Sequence, residues 1–115
     1  MTYRQFIAPS IEDMPITLVD IRPLEDAPGG VRLDWETPIG QISLIADPSG
    51  RSVTIETRSE FGTCKVYREG ATLMSVTELG TGVAVDVDFV TDETVGSLHV
   101  EMNDPVSISE TSLFT

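Results

Sequence analysis

Val83-Ala84-Val85-Asp86-Val87-Asp88-Phe89 alternates inward Val, Val, Val and Phe with Ala, Asp and Asp, the cleanest period of two in the chain. That period belongs to a strand with one face buried. Thr91-Asp92-Glu93-Thr94 reads as a turn, after which residues 95–102 return as a partner strand. The register sets Val87 opposite Leu98, Val85 opposite Val100 and Val83 opposite Met102. Phe89 falls opposite Gly96, where a ring can cover a glycine.

The same alternation recurs toward the N-terminus. Val31, Leu33 and Trp35 alternate with Arg32, Asp34 and Glu36. Thr37-Pro38-Ile39-Gly40 places proline well for a type I turn. It sets Trp35 opposite Ile42, Leu33 opposite Leu44 and Val31 opposite Ala46. Asp47-Pro48-Ser49-Gly50 is a similar loop, which sets Leu44 opposite Val53 and Ile42 opposite Ile55. Ser59-Glu60-Phe61-Gly62 is a third, setting Ile55 opposite Val66 and Thr57 opposite Cys64. Glu69-Gly70 closes a predicted two-residue hairpin with Val66 opposite Leu73. Gly80-Thr81-Gly82 suits a three-residue loop with Leu73 opposite Phe89. Residues 71–79 are the least strand-like, since Leu73, Met74, Val76 and Leu79 also fit one face of a short helix.

The flanks are weaker. Residues 16–22 form a predicted strand between Pro15 and Pro23, and 106–109 a last short one, with 110–115 as a tail. Residues 1–15 read as irregular, although Ser10-Ile11-Glu12-Asp13 resembles a capping box for one helical turn. No repeat, low-complexity tract or linker divides the chain, so 1–115 is one predicted domain. A slip of one residue would send every side chain of a strand to the other face. The turn-derived registers instead align a stripe of Trp35, Ile42, Ile55, Val66, Leu73 and Phe89 across six strands. The predicted fold is all-β: an antiparallel meander of about eight strands with little or no helix. To bury its apolar face it must curl into an up-and-down barrel or fold into a two-sheet sandwich. The curled meander is favoured because consecutive hairpins need no crossing connections.

Composition agrees. Hydrophobic residues make up 40% of the 115, too many for a disordered chain. Valine, isoleucine and threonine abound while alanine and lysine are scarce. The single cysteine, Cys64, excludes an internal disulfide and fits a reducing compartment. The first residues lack the apolar core of a signal peptide, and no apolar run approaches the ~20 residues of a membrane span. A cytoplasmic protein is the expectation.

Charge is the most informative feature. The formal net charge is −12, and all seven basic residues lie at or before Arg68. From Glu69 onward there are nine acids and no Lys or Arg. Such a field repels nucleic acid and anionic membrane and attracts basic partners.

Motifs for chemistry are weak. His99, the only histidine, falls opposite Asp86 on the polar face, where a cross-strand charge pair explains it better than a general base. Glu56 and Lys65 form a similar predicted surface pair. Asp86-x-Asp88 followed by Asp92-Glu93 resembles the start of a calcium loop, but Val90 and Thr91 stand where an oxygen ligand and a glycine are needed. One cysteine and one histidine cannot build a structural zinc site. Cys64 is expected in the core beside Ser75 and Thr57. The glycines form no phosphate loop. No cofactor, metal or catalytic residue is predicted. Arg68 is anomalous, because the register puts it on the apolar face opposite Val53 and Ala71.

These features favour a non-enzymatic acidic binding protein that inhibits a basic, nucleic-acid-binding partner by imitating phosphate charge. An immunity protein against a nuclease toxin and a phage inhibitor of a host defence complex are examples. The candidate contact residues are Glu78, Asp86, Asp88, Asp92, Glu93, Glu101 and Asp104. The alternatives are an assembly module that forms a homo-oligomer through open sheet edges, with Ile45 and Met74 as contacts, and a small-ligand barrel.

Overall fold

The computed structural model describes residues 5–9, 14, 19–37, 40–103 and 106–114. Every regular element among them is a strand: β1 (Asp20–Pro23), β2 (Val31–Thr37), β3 (Gly40–Asp47), β4 (Ser52–Ser59), β5 (Gly62–Glu69), β6 (Ala71–Glu78), β7 (Val83–Val90), β8 (Thr94–Met102) and β9 (Ser107–Phe114). All pair antiparallel with their chain neighbours, except that the ladder breaks between β5 and β6. Strands β1 to β5 form one sheet and β6 to β9 a second. The meander is therefore a two-sheet sandwich and not a closed barrel. The expected helical turn at residues 10–13, and residues 16–18 of the first expected strand, lie outside the described residues.

Most registers match the turn chemistry. Trp35 pairs Ile42 and Leu33 pairs Leu44 across β2–β3. Ile55 pairs Val66 across β4–β5. Val87 pairs Leu98 and Phe89 pairs Gly96 across β7–β8. Across β3–β4 the pairing is displaced by two residues, with Leu44 opposite Ile55 and Ile42 opposite Thr57. An even displacement keeps every side chain on its predicted face, because the loop closes one residue later, between Asp47 and Ser52.

Two expectations fail at one place. Glu69-Gly70 does not close a hairpin; it is the crossing between sheets. Gly70 has φ +89°, its N–H and that of Ala71 both donate to the Arg51 carbonyl (2.9 and 3.0 Å), and its own carbonyl accepts from Val90 N–H at 2.9 Å. Val66 therefore never meets Leu73, and both are half exposed rather than core. Leu73 pairs with Asp88, not Phe89, because the ladder shifts between Ala71 and Leu73. That odd slip turns Leu73 outward and buries Met74, which was expected on the polar face.

The core is built from Leu33, Leu44, Val53 and Ile55 of the first sheet against Val85, Val87, Phe89, Leu98 and Val100 of the second. Each such side chain contributes roughly 1.5–3 kcal/mol on burial. Phe6 and Met14, from the segment expected to be irregular, are buried in it too. Ile7 adds backbone bonds to Thr72 and Met74 beside β6. Cys64 is exposed, contrary to expectation: β5 lies at the edge of its sheet and Ser75 belongs to the other. The last strand is longer than predicted and includes the residues expected as a tail.

Arg68 explains its own anomaly. From β5 it reaches across the sandwich, with its guanidinium 4.2 Å from the Phe89 ring centroid. It donates to Glu110 Oε1 (2.9 Å) and Ser112 Oγ (2.9 Å) on β9. The guanidinium occupies the space above Gly96, where any Cβ would clash with it and with the Thr111 carbonyl. The glycine opposite Phe89 thus makes room for a cation more than for a ring.

Gly70→Ala is expected to cost about 2 kcal/mol or more. A Cβ there meets Thr91 Cγ2 at 2.7 Å, in a backbone conformation that L side chains rarely adopt. Urea unfolding at neutral pH checks this; an unchanged midpoint would mean the crossing is not constrained.

Candidate partner-binding face

The outer face of the second sheet follows from the strand alternation that buries Val83, Val85, Val87 and Phe89. Asp86 and Asp88 must then point outward on β7, and His99 and Glu101 do so on β8. Register lines them into rows. Ser75, Asp86, His99 and Ser109 form one, and Thr77, Ala84, Glu101 and Ser107 the next. On the other side, Leu73, Asp88, Ser97 and Thr111 form a third row. Successive outward residues on one strand stand about 7 Å apart, so Asp86, Asp88 and Glu101 share one patch. Asp92 and Glu93 are exposed in the turn beyond Asp88, and Glu78 is exposed at the opposite end of the sheet. Asp104 lies outside the described residues.

His99 sits between two acids. Its Nδ1 is 2.6 Å from Asp86 Oδ1 and its Nε2 3.3 Å from Glu101 Oε1. The hydrogen bond to Asp86, then that to Glu101, raise the imidazole pKa above its ordinary 6.5. Ser97 hydrogen-bonds Thr111 (2.8 Å), so its hydroxyl is engaged across the β8–β9 ladder. Among the described residues no three His, Cys, Asp or Glu side chains stand together in a way that could hold a metal ion.

One end of this face is apolar. Val95 pairs with Val90 and Leu113, and Leu73 lies beside Asp88. Leu73, Val95 and Leu113 are 47%, 43% and 72% exposed, and Ile7 (60%) adjoins Leu73. No periodicity announces this patch, because the expected register puts Leu73 in the core and Leu113 falls in the expected tail. Ile45, expected as an exposed contact, is only half-exposed.

The first sheet carries a different cluster. Asp34 is buried on its outer face, accepting from Arg22 Nη2 (2.6 Å), Arg32 Nε (3.0 Å) and Ser43 Oγ (2.5 Å). Burial works to raise the carboxyl pKa; the bonds from Ser43, Arg22 and Arg32 outweigh it and hold the group below 3.8. Glu56 pairs with Arg58 at 2.7 Å, leaving the expected Glu56–Lys65 pair unmade. A groove of about 150 Å³ lies between Ile42, Thr57 and Val106. That is small beside the roughly 300–1,000 Å³ of ligand sites.

No protein-family model matches the chain, and no curated protein matches it significantly. Among solved structures, it resembles a chain of a contact-dependent growth inhibition toxin–immunity protein complex from Klebsiella pneumoniae 342, with a TM-score of 0.75. The alignment covers 94% of this chain and 97% of that one, at 9% sequence identity. The likeness is one of fold. At that identity few side chains are shared, so the likeness speaks for the fold alone.

Two pH effects test the charge assignments. His99 has a raised folded pKa, so its pairing stabilises fully below about 6.5 and is lost as pH rises through the folded value. His99→Gln should cost roughly 0.2–1 kcal/mol at pH 5.5 and almost nothing at pH 9. Asp34 has a lowered folded pKa, so its contribution is complete above 3.8 and disappears as pH falls through the folded value. Asp34→Asn should cost about 1–3 kcal/mol at pH 7, and the gap to wild type should narrow below pH 4. Urea midpoints against pH read both.

Proposed function

We propose that this chain is a non-enzymatic inhibitor of the immunity type, which neutralises a basic, nucleic-acid-binding protein in the cytoplasm of the cell it protects. The observation that carries the proposal is the outer face of the second sheet. Asp86, Asp88 and Glu101 supply negative charge and Asp92 and Glu93 extend it at one end; Glu78 pairs with Val83 and so falls on the inward side of β6 at the far end, and Asp104 belongs to the same acidic sequence. Leu73, Val95 and Leu113 supply apolar anchors next to Asp88. Acids steer a basic partner and apolar anchors slow its departure; a face with both has what a tight protein complex needs. The fold likeness to a chain of a toxin–immunity complex supports the same class of function.

A nuclease is the partner class that the charge fits best. Its substrate groove is cationic, and carboxylates spaced along a strand present negative charge at intervals similar to those of phosphates. A phage inhibitor of a host defence complex would use the same face against a different nucleic-acid-binding protein.

The test is affinity capture from the native host at low salt and at about 0.5 M salt, where exposed charges are screened within a few ångströms. A basic nuclease or other nucleic-acid-binding protein should be retained at low salt and weakened at high salt. Asp86→Lys with Asp88→Lys should slow its association about tenfold or more, while Leu113→Ser should mainly speed dissociation. Capture that survives both acid reversals and high salt would refute this assignment of the face.

A further inference from the structure

We infer that β5 is a homodimerisation edge, at which two copies of this chain pair antiparallel to extend the five-stranded sheet to ten. Strand β5 closes one side of its sheet, and among the described residues no strand covers its free side. It is exposed along almost its whole length: Val66 is 46% exposed, Tyr67 57% and the neighbouring turn residue Phe61 92%. A long exposed edge strand with apolar side chains is a template for pairing.

The backbone fixes which residues can pair. Gly70 N–H donates to Arg51 on the β4 side. Antiparallel ladders alternate, so the N–H and C=O groups of Glu69, Tyr67, Lys65 and Thr63 point away from β4. Two copies can bond only through these odd-numbered residues. Centring the pair on Lys65 would set lysine against lysine, which is unfavourable. Centring it on Val66 gives an overlap of the same length, uses all four outward-pointing residues and sets Val66 against Val66 of the second copy. Lys65 then faces the second copy's Tyr67, in reach of a cation–π contact, and stands diagonal to its Glu69 on one side and to its Lys65, no longer directly opposite, on the other.

Charge selects a second copy as the occupant. Strand β5 carries both signs on its outward side, Lys65 and Glu69, so it complements itself on reversal; Arg68 faces inward and is taken by Glu110. Among the described residues Lys65 has no ion-pair partner; Glu56 pairs with Arg58 instead. The other long edge, β9, carries one charge, Glu110, already paired with Arg68, and so lacks this self-complementarity. The acidic outer face of the second sheet stays uncovered, so this dimer is independent of the proposed inhibitory function. A single strand pair buries less than a standard interface, and the affinity should be micromolar or weaker.

Sedimentation equilibrium of the intact chain from about 10 µM to 1 mM covers that range. A reversible monomer–dimer equilibrium is expected. Lys65→Pro removes an N–H that points to the second copy and leaves the β4 ladder intact, a position where edge strands accept proline. It should raise the dimer dissociation constant about tenfold or more. In a Cys64→Ser background, Val66→Cys should form a disulfide across the axis, since facing residues of a non-hydrogen-bonded pair stand about 4.5 Å apart at Cα. A monomer at every concentration with no cross-link would overturn the inference and make Lys65 a guard against pairing. A dimer unaffected by Lys65→Pro would overturn it as well.

Discussion

The sandwich depends on one carbonyl. The Arg51 oxygen accepts both Gly70 N–H and Ala71 N–H, and Gly70 in turn accepts from Val90 N–H. Those three bonds stop the meander from continuing and turn it onto a second layer. Without the turn, a nine-strand sheet would leave its apolar face in water or have to close into a barrel. With it, the inner faces of β2 to β4 meet those of β7 and β8, and Phe89 and Val53 become core. The conformation at Gly70 requires glycine because φ is +89° and a side chain there would strike Thr91.

The same crossing separates charge. Residues before it carry every Lys and Arg, and those after it carry acids with a single histidine. A boundary seen in the sequence as a change in composition is thus a boundary between layers. Arg68, the last cation, crosses back over it to Glu110, Ser112 and Phe89. Its side chain is 17% exposed, so the pair with Glu110 is better shielded than an ordinary surface bridge, which contributes about 0–1 kcal/mol. Arg68 spends its charge on the inner side of the second sheet, and the outer side keeps its acids uncompensated except for His99.

Most of the ladder was legible because turn residues and alternation give independent estimates of register. Where both were strong, at Trp35–Ile42 and Val87–Leu98, the pairs are as expected. The loop at Asp47 closed one residue later than its chemistry implied, and the faces survived. The crossing at Gly70 was not legible: a glycine with positive φ serves a hairpin and a sheet-to-sheet corner equally well. Only contacts remote in sequence, with Arg51 and Val90, distinguish them. Buried Asp34 was hidden for a similar reason, since Arg32 shares its strand but Arg22 and Ser43 arrive from its two neighbours. The acids Asp86, Asp88 and Glu101 were legible as a face; the apolar anchors beside them required the slip at Leu73 and the full length of β9.

The two parts of that outer face do different physical work. Carboxylates near the surface act through a field that salt screens within about 10 Å, so in the proposed complex they would set how fast a basic partner arrives. Leu73, Val95 and Leu113 act only on contact, by leaving water, at roughly 25 cal/mol per Å² of apolar surface covered. An acidic surface evolved for solubility alone needs charge without an adjoining exposed apolar patch, because such a patch works against solubility. The two occur together around Asp88, on a sheet with no Lys or Arg of its own. That conjunction, more than the net charge of −12, is what supports the proposed interaction face over general acidity.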